Sequence, residues 1–432
     1  MARPPFPLRR TMTTAEARAL TLPALALAAL LLASPHTARA ARLPSNQHLI
    51  AAAAAAAAPS SPRSSSSSSS SSPLPIVLLH GMGDSCCALG SIGGVAKFLE
   101  SRLGVFVHSI ATGEGELRDV ASSFFGNVNE QVAGICEGLR ALRSELSGGF
   151  HMVGFSQGGQ FLRAVVQRCG HELPGPVHTL VTLGGQHQGV SNSPVCARAA
   201  GGAAQQACAA VQAALAVGAY SPYVREHIVQ AQYFKDPSYY DTYLERNVFL
   251  PDINNEREGE RNPLYKKNLS SLERLVLLKF EDDSVVEPAE SSLFGFWETD
   301  EDEEKGEGRR RSRGEARKIV PLCESRLYRE DWLGLRALDE RNGADRGVCA
   351  ASSSSSSSSG GGKSGSSGSD KGPIGGGGLV FDTVPGDHMQ FSMKWFEEQV
   401  MDRWLAPAPD EGWLERARAA QREAMAAAAA AA

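Results

Sequence analysis

Short, largely apolar runs recur along the middle of the chain. Ile76–Leu79, Val105–Ile110, Phe150–Phe155, Val177–Leu183 and Leu275–Phe280 are rich in Val, Ile, Leu and Phe and show no clean polar alternation. A strand that is apolar on both faces is covered on both faces, as strands of a parallel sheet are. Between these runs the period lengthens. From Asn127 to Leu146, the residues Val128, Val132, Ile135, Leu139 and Leu142 fall on one face of a helix. Gly158–Cys169 continues the third strand as another helix, and Leu379–Asp382 reads as a short final strand. Buried strands alternating with helices predict an α/β fold around a mostly parallel central sheet flanked by helices.

Composition narrows the ordered part. An Ala-rich tail at 407–432 is a candidate helix without an obvious amphipathic face, while Ala and Ser tracts fill residues 41–72 and a Ser/Gly tract fills 350–378. Such tracts bury too little apolar surface to offset their ordering entropy. What remains, residues 73–406, is expected to be one domain; without its inserts it holds roughly 280 residues, enough for a single large core. Residues 298–318, acidic first and then basic, read as a solvated loop, with a partner-binding patch as the alternative. The net charge of −5 argues against a nucleic-acid partner held by a basic surface. After the N-terminus no run of about 20 apolar residues could span a bilayer.

Residues 1–40 read as a signal peptide. Arg9 and Arg10 precede an apolar run, Ala19–Ala33, that Pro23 interrupts and that ends near Ala38-Arg39-Ala40. An organellar transit peptide or an uncleaved anchor are the alternatives. The eight cysteines form an even set, as expected in an oxidising compartment. None has zinc-site spacing. Asn268-Leu269-Ser270 is a sequon, which makes Asn268 a candidate glycosylation site.

The chemistry concentrates at Gly154-Phe155-Ser156-Gln157-Gly158, a G-x-S-x-G sequence between a predicted strand and a predicted helix. In that setting the serine sits on a sharp, strained turn, and the glycines let strand and helix approach. A serine hydroxyl needs a base, and the base needs an orienting carboxylate. The chain order in this arrangement is serine, acid, histidine. Of His171, His178, His187, His227 and His388, only His388 follows the strand Leu275–Phe280, so it is the candidate base. The acid is expected on the loop after that strand. Spacing leaves Asp282 and Asp283 both open, with Asp387 a third option too close to the base in sequence. A metal at Asp282 and Asp283 lacks further ligands nearby. The oxyanion donors are expected to be the backbone N–H groups of Gln157 and Met82, the latter in His80-Gly81-Met82-Gly83. Met82 is also a plausible packing residue in a glycine turn.

The segments LLHGMGDSCC, GFSQGGQFLRAVVQRC, LGGQHQGV, YFKDP, FLPDINNE, LVLLKFEDDSVVEP and GDHMQFS, in that order, closely resemble the palmitoyl-protein thioesterases, specifically the lysosomal type-1 enzymes. The likeness runs from about Pro75 to about Leu405. It implies an α/β-hydrolase fold with an inserted lid at about 186–250. It also implies a serine hydrolase that needs no cofactor and removes palmitoyl groups from cysteine thioesters of proteins or peptides. By the same resemblance the nucleophile is Ser156, the acid Asp283, the base His388, and the oxyanion donors Met82 and Gln157. It further suggests disulfides Cys86–Cys87, Cys136–Cys169 and Cys196–Cys208, a glycoprotein, and a place in the secretory pathway, in lysosome, vacuole or outside the cell. Cys323 and Cys349 match no cysteine of the family, and either pair or stay reduced. In the lid, Val211, Leu215 and Val217 are expected on one side of a helix. The competing readings are a lipid or general carboxylester hydrolase on the same fold, or a binding protein without activity.

Overall fold

The computed structural model describes residues 72–194, 196, 202–299, 317–341, 343, 347–350 and 378–431. The signal segment, nearly all of the Ala/Ser linker and the centres of both inserts lie outside the described residues. Six strands form one sheet in the order β2-β1-β3-β4-β5-β8, every neighbouring pair parallel. They are β1 (Ile76–Leu79), β2 (Val107–Ile110), β3 (Phe150–Phe155), β4 (Val177–Leu183), β5 (Arg274–Phe280) and β8 (Leu379–Val384). The intervening β6 (Phe296–Trp297) and β7 (Ile319–Val320) pair antiparallel in a separate ribbon. That ribbon closes the neck of the charged insert.

The strands lack polar alternation because each strand feeds two cores. Val77, Leu79, Phe150, Met152, Leu180, Leu275 and Leu277 pack on one face of the sheet. Ile76, Leu78, Val153, Phe155, Val181, Val276 and Leu278 pack on the other. Helix α1 (Ile92–Leu103) joins the second core, while α2 (Val128–Ala141) and α3 (Gln157–Cys169) join the first. The predicted face of α2 is buried at Val128, Val132, Ile135 and Leu139, and the Asn127 side chain caps it by accepting from Asn129 N–H. Helix α3 is buried at every position except Arg168. Gly159 permits this depth, since a Cβ there would lie 2.9 Å from Thr182 Cβ.

Four disulfides are present and no described cysteine is free. Cys136–Cys169 joins α2 to α3 across 33 residues, a loop whose closure is worth about 3–4 kcal/mol in chain entropy. Cys323 and Cys349, left open from the sequence, are bonded to each other. Cys196–Cys208 anchors α4 (Gly202–Gly218), which lies over a third apolar cluster of Phe124, Phe125, Val211, Ile228 and Ala231.

Three expectations need correction. Val217 does not share a face with Val211: it is 62 % exposed, six residues and therefore more than one and a half turns along the helix. The Ala-rich tail does have a packing face. Helix α5 (Trp413–Ala431) buries Trp413, Ala417 and Ala424, and Gln421 donates to the Gly170 and Leu173 carbonyls. Asn268 is buried, and its amide nitrogen donates to the Gln167 carbonyl at 2.8 Å and meets the His171 ring at 3.0 Å. A glycan on that nitrogen would displace both contacts, so the folded chain has no room for one there.

Candidate active site

The order of strands reverses about β1 and β3, and their carboxyl ends define a crevice where ligands of such sheets bind. Ser156 stands there, between β3 and α3, with φ of 53° and ψ of −125°. A non-glycine residue in such a conformation costs about 1–3 kcal/mol. Ser156 N–H donates to the Leu183 carbonyl at 2.8 Å, and its own carbonyl accepts from Gly159 N–H at 2.9 Å, which holds the bend. The flanking glycines are sterically required. A Cβ at Gly154 would lie 2.4 Å from Gly159 Cα, and one at Gly158 would lie 2.4 Å from the Leu79 carbonyl oxygen.

The loops that follow β5 and β8 are zipped together beyond the sheet. Glu281 N–H donates to the Val384 carbonyl at 2.9 Å and Asp282 N–H to the Gly386 carbonyl at 3.1 Å. This extends the β5–β8 ladder into both loops. His388 Nε2 lies 2.9 Å from Ser156 Oγ, and His388 Nδ1 lies 2.8 Å from Asp283 Oδ2. The other carboxylate oxygen of Asp283 accepts from the N–H groups of Val285 and Val286, both at 2.9 Å. The Asp283 side chain is fully buried, whereas Asp282 is exposed. Asp387 has a different place: it accepts from the N–H groups of His388 (2.6 Å) and Ser284 (3.0 Å), strapping the two loops to each other.

Gln157 heads α3, where the first N–H groups have no acceptor within the helix. Its side chain is fixed by the Ser123 carbonyl at 3.1 Å and by the Tyr233 hydroxyl at 3.1 Å. Met82 is half-buried against the cluster of Phe124 and Phe125. Gly81 lies against Ser156, since a Cβ there would sit 2.9 Å from Ser156 Cβ. The loop itself hangs on Asp119. One oxygen of that carboxylate accepts from His80 Nε2 (3.0 Å), Thr112 N–H (2.6 Å), Thr112 Oγ1 (2.9 Å) and Gly113 N–H (3.2 Å); the other accepts from Cys86 N–H (2.7 Å). Burial penalises the charged forms of both His80 and Asp119. Their mutual hydrogen bond and attraction outweigh it, so His80 is raised above 6.5 and Asp119 is lowered below 3.8.

Two buried residues had no role in the sequence reading. Gln186, in the segment GGQHQGV, donates from Nε2 to Ser156 Oγ at 3.0 Å. Arg163 on α3, fully buried, donates to the Ile253 carbonyl (3.0 Å), the His187 carbonyl (3.2 Å) and Asn254 Oδ1 (2.9 Å). It thereby pins the loop that carries Gln186. A cavity of about 450 Å³ lies elsewhere, lined by Lys235, Glu256, Trp297 and Trp332 among others. Lys235 and Glu256 are paired there at 2.7 Å, and no lining residue belongs to the serine site. No group of three or more His, Cys, Asp or Glu that could hold a metal occurs among the described residues.

A serine on a strand-to-helix elbow, aligned with an imidazole and a buried carboxylate at the carboxyl ends of a parallel sheet, defines the class of serine hydrolases with the α/β-hydrolase fold. The sequence profile of the palmitoyl protein thioesterases matches residues 75–352. Palmitoyl-protein thioesterase 1 of Caenorhabditis elegans is 42 % identical over 268 residues, 62 % of this chain and 82 % of that protein. Palmitoyl-protein thioesterase 3 of Dictyostelium discoideum is 30 % identical over 269 residues, 62 % and 81 % of the two chains. Lysosomal thioesterase PPT2 of Mus musculus is 25 % identical over 272 residues, 63 % and 79 %. The chain belongs to the palmitoyl protein thioesterase family.

Proposed function

We propose that this chain hydrolyses long-chain fatty acyl thioesters of cysteine in proteins or peptides, with Ser156 as nucleophile, His388 as general base and acid, and Asp283 as its orienting carboxylate. The observation that carries the assignment is the 2.9 Å contact of His388 Nε2 with Ser156 Oγ. His388 lies beyond the residues matched by the family profile, so its role is supported by its hydrogen bonds.

The Asp283 carboxylate accepts a hydrogen bond from Nδ1–H, which leaves Nε2 free to accept the hydroxyl proton. Ser156 Oγ bonds to the acyl carbon while His388 takes its proton. The carbon–sulfur bond then breaks, and the thiolate, with a thiol pKa of about 8.5, leaves and takes the proton from His388. Water, deprotonated by His388, attacks the acyl-Ser156 ester. The carbon–Oγ bond breaks, the fatty acid departs and Oγ regains a proton. The N–H groups of Met82 and Gln157 are the proposed donors to the tetrahedral oxyanion; losing one such donor costs about 3–4 kcal/mol of transition-state stabilisation.

The apolar cluster of Phe124, Phe125, Val211 and Ile228 beside Met82 supports an acyl-binding role for the region beneath α4. Each methylene buried there contributes about 0.8 kcal/mol. A secretory or lysosomal location is the accompanying proposal, supported by four disulfides and by relatives named lysosomal thioesterases. No described helix is long and apolar enough to cross a membrane. The test is hydrolysis of an S-palmitoyl peptide by the purified chain beside its Ser156→Ala variant. The expected result is turnover by the first and none by the second. Faster turnover of triglyceride or short-chain esters than of the thioester would favour a lipid or carboxylester hydrolase instead.

A further inference from the structure

We infer that the side-chain amide of Gln186 is a catalytic hydrogen-bond donor to Ser156 Oγ that acts on release of the acyl group, not on its capture. The inference rests on the assignment of Ser156 as the acylated nucleophile. The direction of the hydrogen bond follows from the proton inventory of the site. Asp283 accepts a hydrogen bond from His388 Nδ1–H, so Nε2 is the acceptor and Ser156 donates its hydroxyl hydrogen to it. The hydroxyl has only lone pairs left, and Gln186 must present its NH₂ group, at 3.0 Å. The other end of the amide agrees, because Gln186 Oε1 accepts from Gln160 Nε2 at 3.3 Å.

The donor is held in place. Gln186 and Gln160 are buried. The backbone around Gln186 is closed by Gly189 N–H on its carbonyl at 3.0 Å. The next residue, His187, accepts at its carbonyl from Arg163 and from Asn254 Nδ2, the latter at 3.2 Å. The His187 ring meets Thr182 Oγ1 at 2.9 Å and stacks on Phe294 with centroids 4.8 Å apart. Nothing has to reorganise for Gln186 to stay beside Oγ through the reaction.

The two half-reactions ask different things of that donor. In acylation the bond that breaks is carbon–sulfur, and Oγ passes from a hydroxyl, a good acceptor, to an ester oxygen, a poor one. An N–H on Oγ gives this half no advantage. In deacylation the bond that breaks is carbon–Oγ, and its electron pair collects on Oγ until His388 returns the proton. A serine alkoxide is a far more basic leaving group than a thiolate. The hydrogen bond is weak in the acyl-enzyme and strengthens as charge develops, which is the condition for catalysis by differential binding.

The test is stopped-flow thiol release from an S-palmitoyl peptide by the wild type and by Gln186→Met, which keeps length and burial without a donor. The variant is expected to release the first thiol within threefold of the wild-type rate, then turn over 10- to 100-fold more slowly, with acyl-enzyme visible by intact mass. Its kcat for a palmitoyl thioester and a palmitoyl oxyester should become equal, because both wait on one intermediate. Gln186→Asn, which keeps an amide but withdraws it from Oγ, should show the same pattern in milder form. Burst and turnover falling together in both variants, or neither changing, would overturn the inference. If Ser156 of the wild type never carries the acyl group, the underlying assignment fails with it.

Discussion

Replacing Asp119 by Asn tests how the glycine-rich loop is held beside Ser156. The carboxylate receives five hydrogen bonds, four on one oxygen and one on the other. Asparagine is best accommodated with its carbonyl facing the four donors. Its NH₂ group then faces Cys86 N–H, a donor against a donor, and leaves a buried group unsatisfied at a cost of about 1–3 kcal/mol. The His80 imidazolium loses its counter-charge as well; both side chains are essentially inaccessible, and removing one partner of such a pair costs about 3–5 kcal/mol. The two costs overlap, so the expected loss is about 3–5 kcal/mol rather than their sum. Met82 lies two residues beyond His80. If its N–H leaves the oxyanion position, kcat/KM falls about 10²- to 10³-fold. Urea unfolding at pH 6 with disulfides intact gives the first quantity, and S-palmitoyl peptide hydrolysis the second. A stability loss below about 1 kcal/mol with unchanged kcat/KM would refute the reasoning.

The same pair sets a pH window. His80 is raised above 6.5 in the folded chain, so its contribution is full below 6.5 and is lost as pH rises through the folded value; Asp119 is lowered below 3.8, so its contribution is full above 3.8 and is lost as pH falls through its folded value. The stability gap between wild type and Asp119→Asn should be widest between these limits and narrow above them; urea midpoints from pH 4 to pH 9 would show it. Buried His178, pulled down to about 4 by burial and by Arg274, should itself destabilise the fold as pH drops below 6.5 in both proteins, which is why the difference is the quantity to follow. Gly184→Ala should lower kcat at least tenfold with little change in folding cooperativity: φ is +61° there, and the new Cβ would stand 2.8 Å from His388 Cε1. The chain purified from a glycosylating host should show no glycopeptide at Asn268, a point peptide mapping decides directly.

Much of the fold was legible because burial on both faces leaves a largely apolar run, as in β1, β3, β4 and β5, whereas β2 and β8 are buried mainly at their ends. The elbow was legible because its five-residue pattern is contiguous in the chain, although only Gly154 answers to a neighbour a few residues on, at Gly159, while Gly158 answers to the distant Leu79 carbonyl. The choice between Asp282 and Asp283 was not, because adjacent residues on a loop differ only in which one turns inward. That is decided by the Val285 and Val286 N–H groups and by pairing with a loop about a hundred residues away. Gln186 stands 30 residues from Ser156 with no spacing rule to connect them. Helix α5 escaped notice as a packed element because alanine forms both its buried and its exposed faces, so no amphipathic contrast marks the side that docks. Asn268 shows the converse error: a sequon is read from three residues, whereas room for a glycan depends on what α3 and His171 place against it.

The most direct test of the central claim is to quench the enzyme with acid during turnover of an S-palmitoyl peptide and map the acylated residue by mass spectrometry. The account predicts a palmitoyl ester on Ser156 in the wild type, accumulating in Gln186→Met and absent from Ser156→Ala. Turnover that continues in Ser156→Ala, or an acyl group found on any other side chain, would contradict it.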